Sequence, residues 1–298
     1  MERTTLGAID IGSNAIRLFI NYVEHSSSGK VTFKKAAFIR VPIRLGEDVF
    51  TQGYIGEKKL TKLIEAMKSF MGLMRTFSVK SYRACATSAM REASNGAEVV
   101  AQIAECSGIN IEIITGQEEA ETIFNSGGAA NLMGRDGSYI YVDVGGGSTE
   151  ITIYSNHKRV ISESFPLGTV RTISDAVDKA TPERFKKWLE DEARPLKPIA
   201  IIGSGGNINK VYKLLGKHEG DSINYVELKI LYNQIKDMSY DERVRNMGLN
   251  LYRADVIEPA MKIFLTVAKA CRINEILVPR VGLGDGIIQQ LYAKMEQK

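Results

Sequence analysis

TLGAIDIGSNAIRLFI, residues 5–20, and SYIYVDVGGGSTEITIYS, residues 138–155, decide the fold between them. Each is an apolar strand ending in an aspartate, a turn of Gly, Ser or Asn, and a second apolar strand. The aspartates, Asp10 and Asp143, lie 133 positions apart, close to half the chain. Each copy is followed by a third strand-like stretch, VTFKKAAFIR at 31–40 and KRVISESFP at 158–166. A match in motif, order and following strand marks an internal repeat, and so two similar α/β lobes facing each other.

Between the copies the apolar period changes from two to three and four. Leu60, Leu63, Ile64, Met67, Phe70, Met71 and Met74 share one face of a helix that starts at Glu57. A strand at 79–86, a helix near 97–106 and a strand at 111–115 follow. The helix from Gln117 runs into Asn125-Ser126-Gly127-Gly128, which no helix tolerates well, so the boundary and a hinge are expected there. That divides the chain into lobes 1–124 and 125–298, with the last helix free to pack back on the first. The second half continues with a helix from Thr181, a plausible N-cap before Pro182. A strand at 198–202 leads to the loop Gly203–Asn207 and a helix. Helices at 226–238 and 254–271, a strand at 275–278, a glycine loop at 282–286 and a closing helix complete it.

Composition narrows the class. The chain has 298 residues, with 25% charged and 44% hydrophobic, which describes a globular protein. No apolar run reaches the roughly 18 residues of a membrane helix, and MERTTLGAIDIG lacks the segments of a signal peptide. Cys85, Cys106 and Cys271 are odd in number and far apart, so they read as reduced thiols of a cytoplasmic protein. Net charge is +4 and no basic block exceeds two residues, which suits an anionic ligand and not nucleic acid.

The chemistry sits in the loops. In Asp143-Val-Gly-Gly-Gly-Ser-Thr149, the glycines Gly145, Gly146 and Gly147 let backbone N–H groups approach an anion, and Ser148 adds a hydroxyl donor. Asp10-Ile-Gly-Ser13-Asn14 is a leaner version of the same turn. Read plainly, each is a tight hairpin; facing each other across a cleft, the two would hold a chain of phosphates. Asp10 and Asp143 would repel phosphate and fit better as ligands for Mg²⁺ or another divalent cation, shared with phosphate oxygens and water. Glu150 is a second ligand, a water-orienting group or simply a strand residue. Thr115 and Glu118 spell a capping box, whereas Glu119 is either a dipole-stabilised surface residue or an ionised base in the first helical turn. Arg91, after Ala86-Thr-Ser-Ala-Met, sits where a guanidinium can clamp phosphate, or on the surface. The Gly203–Asn207 loop also precedes a helix, another ready anion site.

The strings AIDIGSNAIRL, ATSAMREASN, IEIITGQEEAE, VDVGGGSTEI, SFPLGTVR, IIGSGGNI and RADVI, in this order over nearly the whole chain, resemble the exopolyphosphatase / guanosine pentaphosphate phosphohydrolase family. The resemblance implies two ribonuclease-H-like lobes of the actin, sugar-kinase and Hsp70 superfold, phosphates bound in the cleft, and hydrolysis of a terminal phosphoanhydride with Mg²⁺. It implies that Glu119 is the catalytic glutamate that activates water. Asp143 and Glu150 match acidic positions tied to the metal and catalysis. Gly145, Gly146, Gly147 and Ser148 match the phosphate loop; Ser13, Asn14 and Arg91 match phosphate-binding positions of the first lobe. Family precedent also implies a homodimer. Asn207 departs from the family's usual threonine, and the chain ends soon after 282–286, without the helical domains of long members, which implies a preference for short chains.

The expected function is exopolyphosphatase, with guanosine pentaphosphate (pppGpp) 5′-phosphohydrolase as the alternative of the same chemistry. A kinase-like ATPase and a non-catalytic polyphosphate or alarmone sensor are the readings of other classes. The pair Glu118–Glu119 speaks against the kinase, and the intact Glu119, Asp143 and Glu150 speak against the sensor.

Overall fold

The computed structural model describes residues 3–26, 30–126, 128, 132–134 and 137–297. The chain divides into two compact units, residues 1–126 with 283–298 and residues 127–282. The division falls two residues beyond the expected boundary and assigns 283–298 to the first unit. Gly127 of the expected hinge lies outside the described residues.

Unit 1 opens with β1 (Arg3–Ile11), β2 (Ile16–His25) and β3 (Val31–Val41). It continues through α1 (Leu45–Gln52), α2 (Glu57–Thr76), β4 (Ser81–Ala86), α3 (Ser88–Glu92), α4 (Gly96–Ser107), β5 (Ile111–Ile113) and α5 (Gly116–Phe124). Among the described residues its sheet has the order β3-β2-β1-β4-β5. The first three strands are antiparallel neighbours, and β4 and β5 join in parallel. β1 is central and covered on both faces, which is why Leu6, Ala8, Ile9 and Ile11 are all buried rather than alternating. On α2 the buried residues Leu63, Met67, Phe70 and Met74 lie on the stripe read from the sequence.

Unit 2 repeats the plan. Its elements are β6 (Ser138–Val144), β7 (Thr149–Ser155), β8 (Lys158–Phe165), α6 (Thr169–Ile173), α7 (Thr181–Trp188), β9 (Pro198–Ser204) and α8 (Gly206–Leu214). Then come β10 (Ser222–Asn224), α9 (Tyr225–Asp237), α10 (Tyr240–Met247), α11 (Ile257–Cys271) and β11 (Glu275–Leu277). The order β8-β7-β6-β9-β11 matches β3-β2-β1-β4-β5, with β10 added antiparallel at the far edge. Each unit is thus a ribonuclease-H-like lobe with its own apolar core. The helices α1, α6 and α10 go beyond the sequence reading: all are short, and α10 buries none of its residues. Thr181 is the first residue of α7 rather than its cap; Ala180 holds the cap position with no side-chain bond. Among the described residues no helix is long and apolar enough to cross a membrane.

The chain returns to unit 1 with α12 (Leu283–Glu296), whose first turn contains the stretch expected to be a glycine loop. Gly284 and Gly286 are glycines because of what they touch. A Cβ on Gly284 would stand 2.3 Å from the Phe19 ring of β2, and one on Gly286 only 2.1 Å from the Thr122 carbonyl oxygen of α5. Gln289 Nε2 then donates to the Ser126 carbonyl at 2.6 Å and Gln290 Nε2 to Thr122 Oγ1 at 3.1 Å. Gly72, inside α2, has nothing within 4 Å of an added Cβ. Gly72→Ala should therefore raise stability by about 0.5–1 kcal/mol, the ordinary helix-propensity gain, while Gly286→Ala should lower it by about 1–3 kcal/mol through overpacking. Urea unfolding of the two variants checks this, and equal signs would refute the account of the α5–α12 approach.

Candidate active site

In unit 2 the loop between β6 and β7 is held from behind. Gly145 N donates to Ser148 O at 2.9 Å and closes the turn. The carbonyls of the three glycines are taken by the segment that enters α6. Thr169 N bonds Gly145 O at 3.0 Å, Val170 N and Arg171 N bond Gly146 O at 2.8 and 3.0 Å, and Arg171 Nε bonds Gly147 O at 2.8 Å. No described peptide is cis. In a planar trans peptide the N–H points opposite to the C=O, so the N–H groups of Gly146, Gly147 and Ser148 are turned away from 168–171. Three consecutive N–H groups turned the same way from the holding segment suit an anion. The approach is close enough to require glycine at 168, where a Cβ would meet the Gly146 and Gly147 backbone at 2.4 Å.

Beside this loop stand two acids. Asp143 and Glu150 are 6% and 4% exposed, and they are directly opposed in the β6–β7 register, so their side chains share one face. Glu150 Oε1 accepts from Ser148 Oγ at 2.5 Å and from Ser164 Oγ at 3.2 Å. Gly205, at φ +103°, passes so near that a Cβ would lie 2.9 Å from Val144 O and 3.3 Å from Asp143 Oδ1. The loop, the acids and Gly205 all lie at the carboxyl ends of the parallel strands β6 and β9, where open α/β sheets bind ligands.

Unit 1 uses the same device. Gly12 N bonds Ala15 O at 3.2 Å, while Gly46 N and Arg44 N take the carbonyls of Ser13 and Asn14 at 2.9 and 3.1 Å. The N–H groups of Asn14 and Ala15 therefore face away from 44–46. Ser13 Oγ is hydrogen-bonded to Ser88 Oγ at 2.8 Å, both buried. This ties the loop to α3, which carries Arg91. Arg91 Nη1 donates to Ile114 O at 2.7 Å, one residue before the α5 N-cap Thr115. Glu119 lies half-buried in the first turn of α5, where the helix dipole favours an ionised carboxylate. Ser13, Arg91 and the start of α5 thus gather at the carboxyl ends of β1, β4 and β5. Asp10 is opposed in register by Arg17 and ion-paired with it.

One local reading needs correction. Only half of the capping box forms: Thr115 Oγ1 accepts from Glu118 N at 3.0 Å, but the Glu118 carboxylate turns to Arg83 Nη2 at 2.7 Å. Thr87, at the N-cap of α3, makes no side-chain capping bond. The carbonyl-holding segments were missed altogether. Their sequence signal is a Leu-Gly pair after the third strand of each repeat, Leu45-Gly46 and Leu167-Gly168.

Mg²⁺ takes one or two protein carboxylates and leaves its other positions to water and phosphate oxygens. The buried, opposed pair Asp143 and Glu150 beside the amide loop fits that donor set. Among the described residues no group of three or more His, Cys, Asp or Glu side chains could enclose an ion. Asp10 is engaged by Arg17.

One unit carries outward-turned amides beside buried acids, the other a serine, an arginine and a helix-N-terminal glutamate, each on a ribonuclease-H-like lobe. The profile of the Ppx/GppA phosphatase family matches residues 23–295. The chain belongs to that family and is a hydrolase by class. A Haemophilus influenzae protein named "Putative exopolyphosphatase" is 24% identical, over 96% of this chain and 91% of that one. The Vibrio parahaemolyticus protein named guanosine-5′-triphosphate,3′-diphosphate pyrophosphatase is 23% identical over 97% of this chain, which spans only 60% of it. Among solved structures, the Aquifex aeolicus Ppx/GppA family member aligns over 100% of both chains with a TM-score of 0.77 and 24% identity. An exopolyphosphatase from Cytophaga hutchinsonii aligns over 99% of this chain and 98% of that one, at 0.81 and 23%. These structures share the fold.

If the amide loop is shaped by the close approach of residue 168, Gly168→Ala should weaken orthophosphate binding about tenfold or more, as loss of oriented donors does. Calorimetric titration with orthophosphate reads this, with Gly72→Ala as a control that keeps its affinity. Equal affinity in both variants would remove the loop from the binding site.

Proposed function

We propose that the protein is an exopolyphosphatase, which hydrolyses the terminal phosphoanhydride of inorganic polyphosphate and releases orthophosphate. The observation that carries the reading is the triglycine loop whose held carbonyls turn three N–H groups outward beside the acids Asp143 and Glu150. The name of the Haemophilus influenzae relative, matched over most of both chains, supports polyphosphate as the substrate.

In this reading the N–H groups of Gly146, Gly147 and Ser148 receive phosphate oxygens, with Ser13, Asn14 and Arg91 as the phosphate ligands of unit 1. Asp143 and Glu150 would hold Mg²⁺ or another divalent cation, whose charge offsets that of the phosphate oxygens. Phosphoryl transfer through a loose transition state depends on positioning and charge neutralisation more than on covalent chemistry, which suits this residue set. Glu119 accepts a proton from water as the water oxygen bonds to the terminal phosphorus. The bridging P–O bond breaks, and its electron pair stays on the new chain end.

Phosphate release from short polyphosphate, long polyphosphate, pppGpp and ATP, measured for the purified chain and Glu119→Gln, tests this. Hydrolysis of polyphosphate should fall by about 10²–10⁴-fold in the variant, the usual contribution of a general base. Chelation should abolish activity and Mg²⁺ restore it. Preference for pppGpp would move the substrate to the one named for the Vibrio relatives. Binding without turnover on every substrate would make the chain a sensor.

A further inference from the structure

Four elements of unit 1 meet at one guanidinium that the reaction scheme above does not use. Arg83 projects from β4 and is 14% exposed. Its Nε and Nη2 donate to Glu112 Oε2 of β5 at 3.0 and 2.7 Å, and Nη2 also donates to Glu118 Oε1 of α5 at 2.7 Å. Its Nη1 donates to Gln290 Oε1 of α12 at 3.0 Å. Gln290 in turn gives its amide to Thr122 Oγ1, one helical turn beyond Glu118. Glu118 is the residue before Glu119.

An exposed ion pair of two flexible side chains contributes little to stability. Arg83 differs because its planar fork fixes the direction of each bond, and its partners belong to three separate elements. α5 has nine residues, too few to hold its own first turn rigid. Its orientation is therefore set from outside at three points. Thr115 caps Glu118 N, Arg83 holds the Glu118 carboxylate, and Gln290 with Gly286 holds Thr122. These ties straddle Glu119 in sequence.

We propose that Arg83 and Gln290 are positioning residues, which act through Glu118 and Thr122 to fix where the Glu119 carboxylate stands. The inference rests on Glu119 being the base. It makes the last helix, although it is distant in sequence, part of the machinery that orients the attacking water. A positioning role predicts a loss confined to turnover, because neither residue is among the proposed phosphate ligands.

The test measures kcat, KM and Tm for Arg83→Met, Gln290→Leu and the double variant on short polyphosphate with Mg²⁺. Each single variant should lower kcat about tenfold, less than the roughly hundredfold that a 1 Å misplacement can cost, with KM within about twofold. Thermal midpoints should stay within roughly 4 °C of the parent, a shift smaller than a broken core contact gives. The double variant should be little worse than Arg83→Met, since the two side chains share one network. Unchanged kcat, an activity loss that follows the folded fraction, or multiplicative effects would overturn the proposal. Full activity in Glu119→Gln would instead overturn the parent reading, and with it any base to position.

Discussion

A peptide group has two polar ends that point in opposite directions, and much of this site follows from that constraint. Once a carbonyl is held, the next N–H has only one way to face. In both units a hairpin loop after the first strand has its carbonyls held by the segment that follows the third strand. The apolar strands bring that segment into place, so the loop geometry is a product of the sheet. The glycines serve the same end. Gly46 and Gly168 let the holding segments come close, as the short Cβ distances to Ser13 Cβ, 3.0 Å, and to the Gly146 backbone, 2.4 Å, show. The donors are thereby oriented in advance, which is what would give a preorganised anion site its advantage over water.

How much of this was legible follows from which signals are local. The strand–turn–strand repeat was readable because the strands sit at sheet centres and carry dense apolar runs. β3 and its counterpart β8 were readable because third strands follow the hairpins directly. The helices α1 and α6 were not, since eight and five residues leave no room for a period. Their role also lies in backbone donors, which leave no trace in side-chain chemistry. Only the repeated Leu-Gly pair marks them. Local physics gave Glu118 a capping role but left Glu119 either a surface residue or a base, because a first turn favours acids of both kinds. Glu119 was singled out by resemblance. The structure adds that Glu118 is engaged by Arg83, a pairing across elements that local sequence does not encode.

The stretch at 282–286 shows the opposite failure, a strong local signal with the wrong local meaning. Three glycines in five residues read as a loop, and inside a helix each costs about 1 kcal/mol relative to alanine. Here Gly284 and Gly286 lie in the first turn of α12 and face Phe19 and Thr122. The propensity cost is offset by a backbone approach that no side chain would permit, with the contacts and the two glutamine hydrogen bonds that follow from it. Burial of α12 against unit 1 decides the matter, and that burial depends on residues more than 150 positions away.

The two repeats differ in charge at the register position opposite the strand-end aspartate. The residue opposite the strand-end aspartate is Arg17 in unit 1 and Glu150 in unit 2. In the first case the aspartate is neutralised from within the lobe, and the hairpin needs no further cation. In the second, two carboxylates are buried side by side, an arrangement that carries a repulsive cost unless positive charge or a proton is supplied. Serine hydroxyls at 148 and 164 donate to Glu150. Under the proposed function a divalent cation would add positive charge there and leave its other positions to water and phosphate oxygens. The same hairpin built twice therefore gives one lobe an internally neutralised frame around its serine, arginine and glutamate. It gives the other a buried, directly opposed acid pair beside the amide loop.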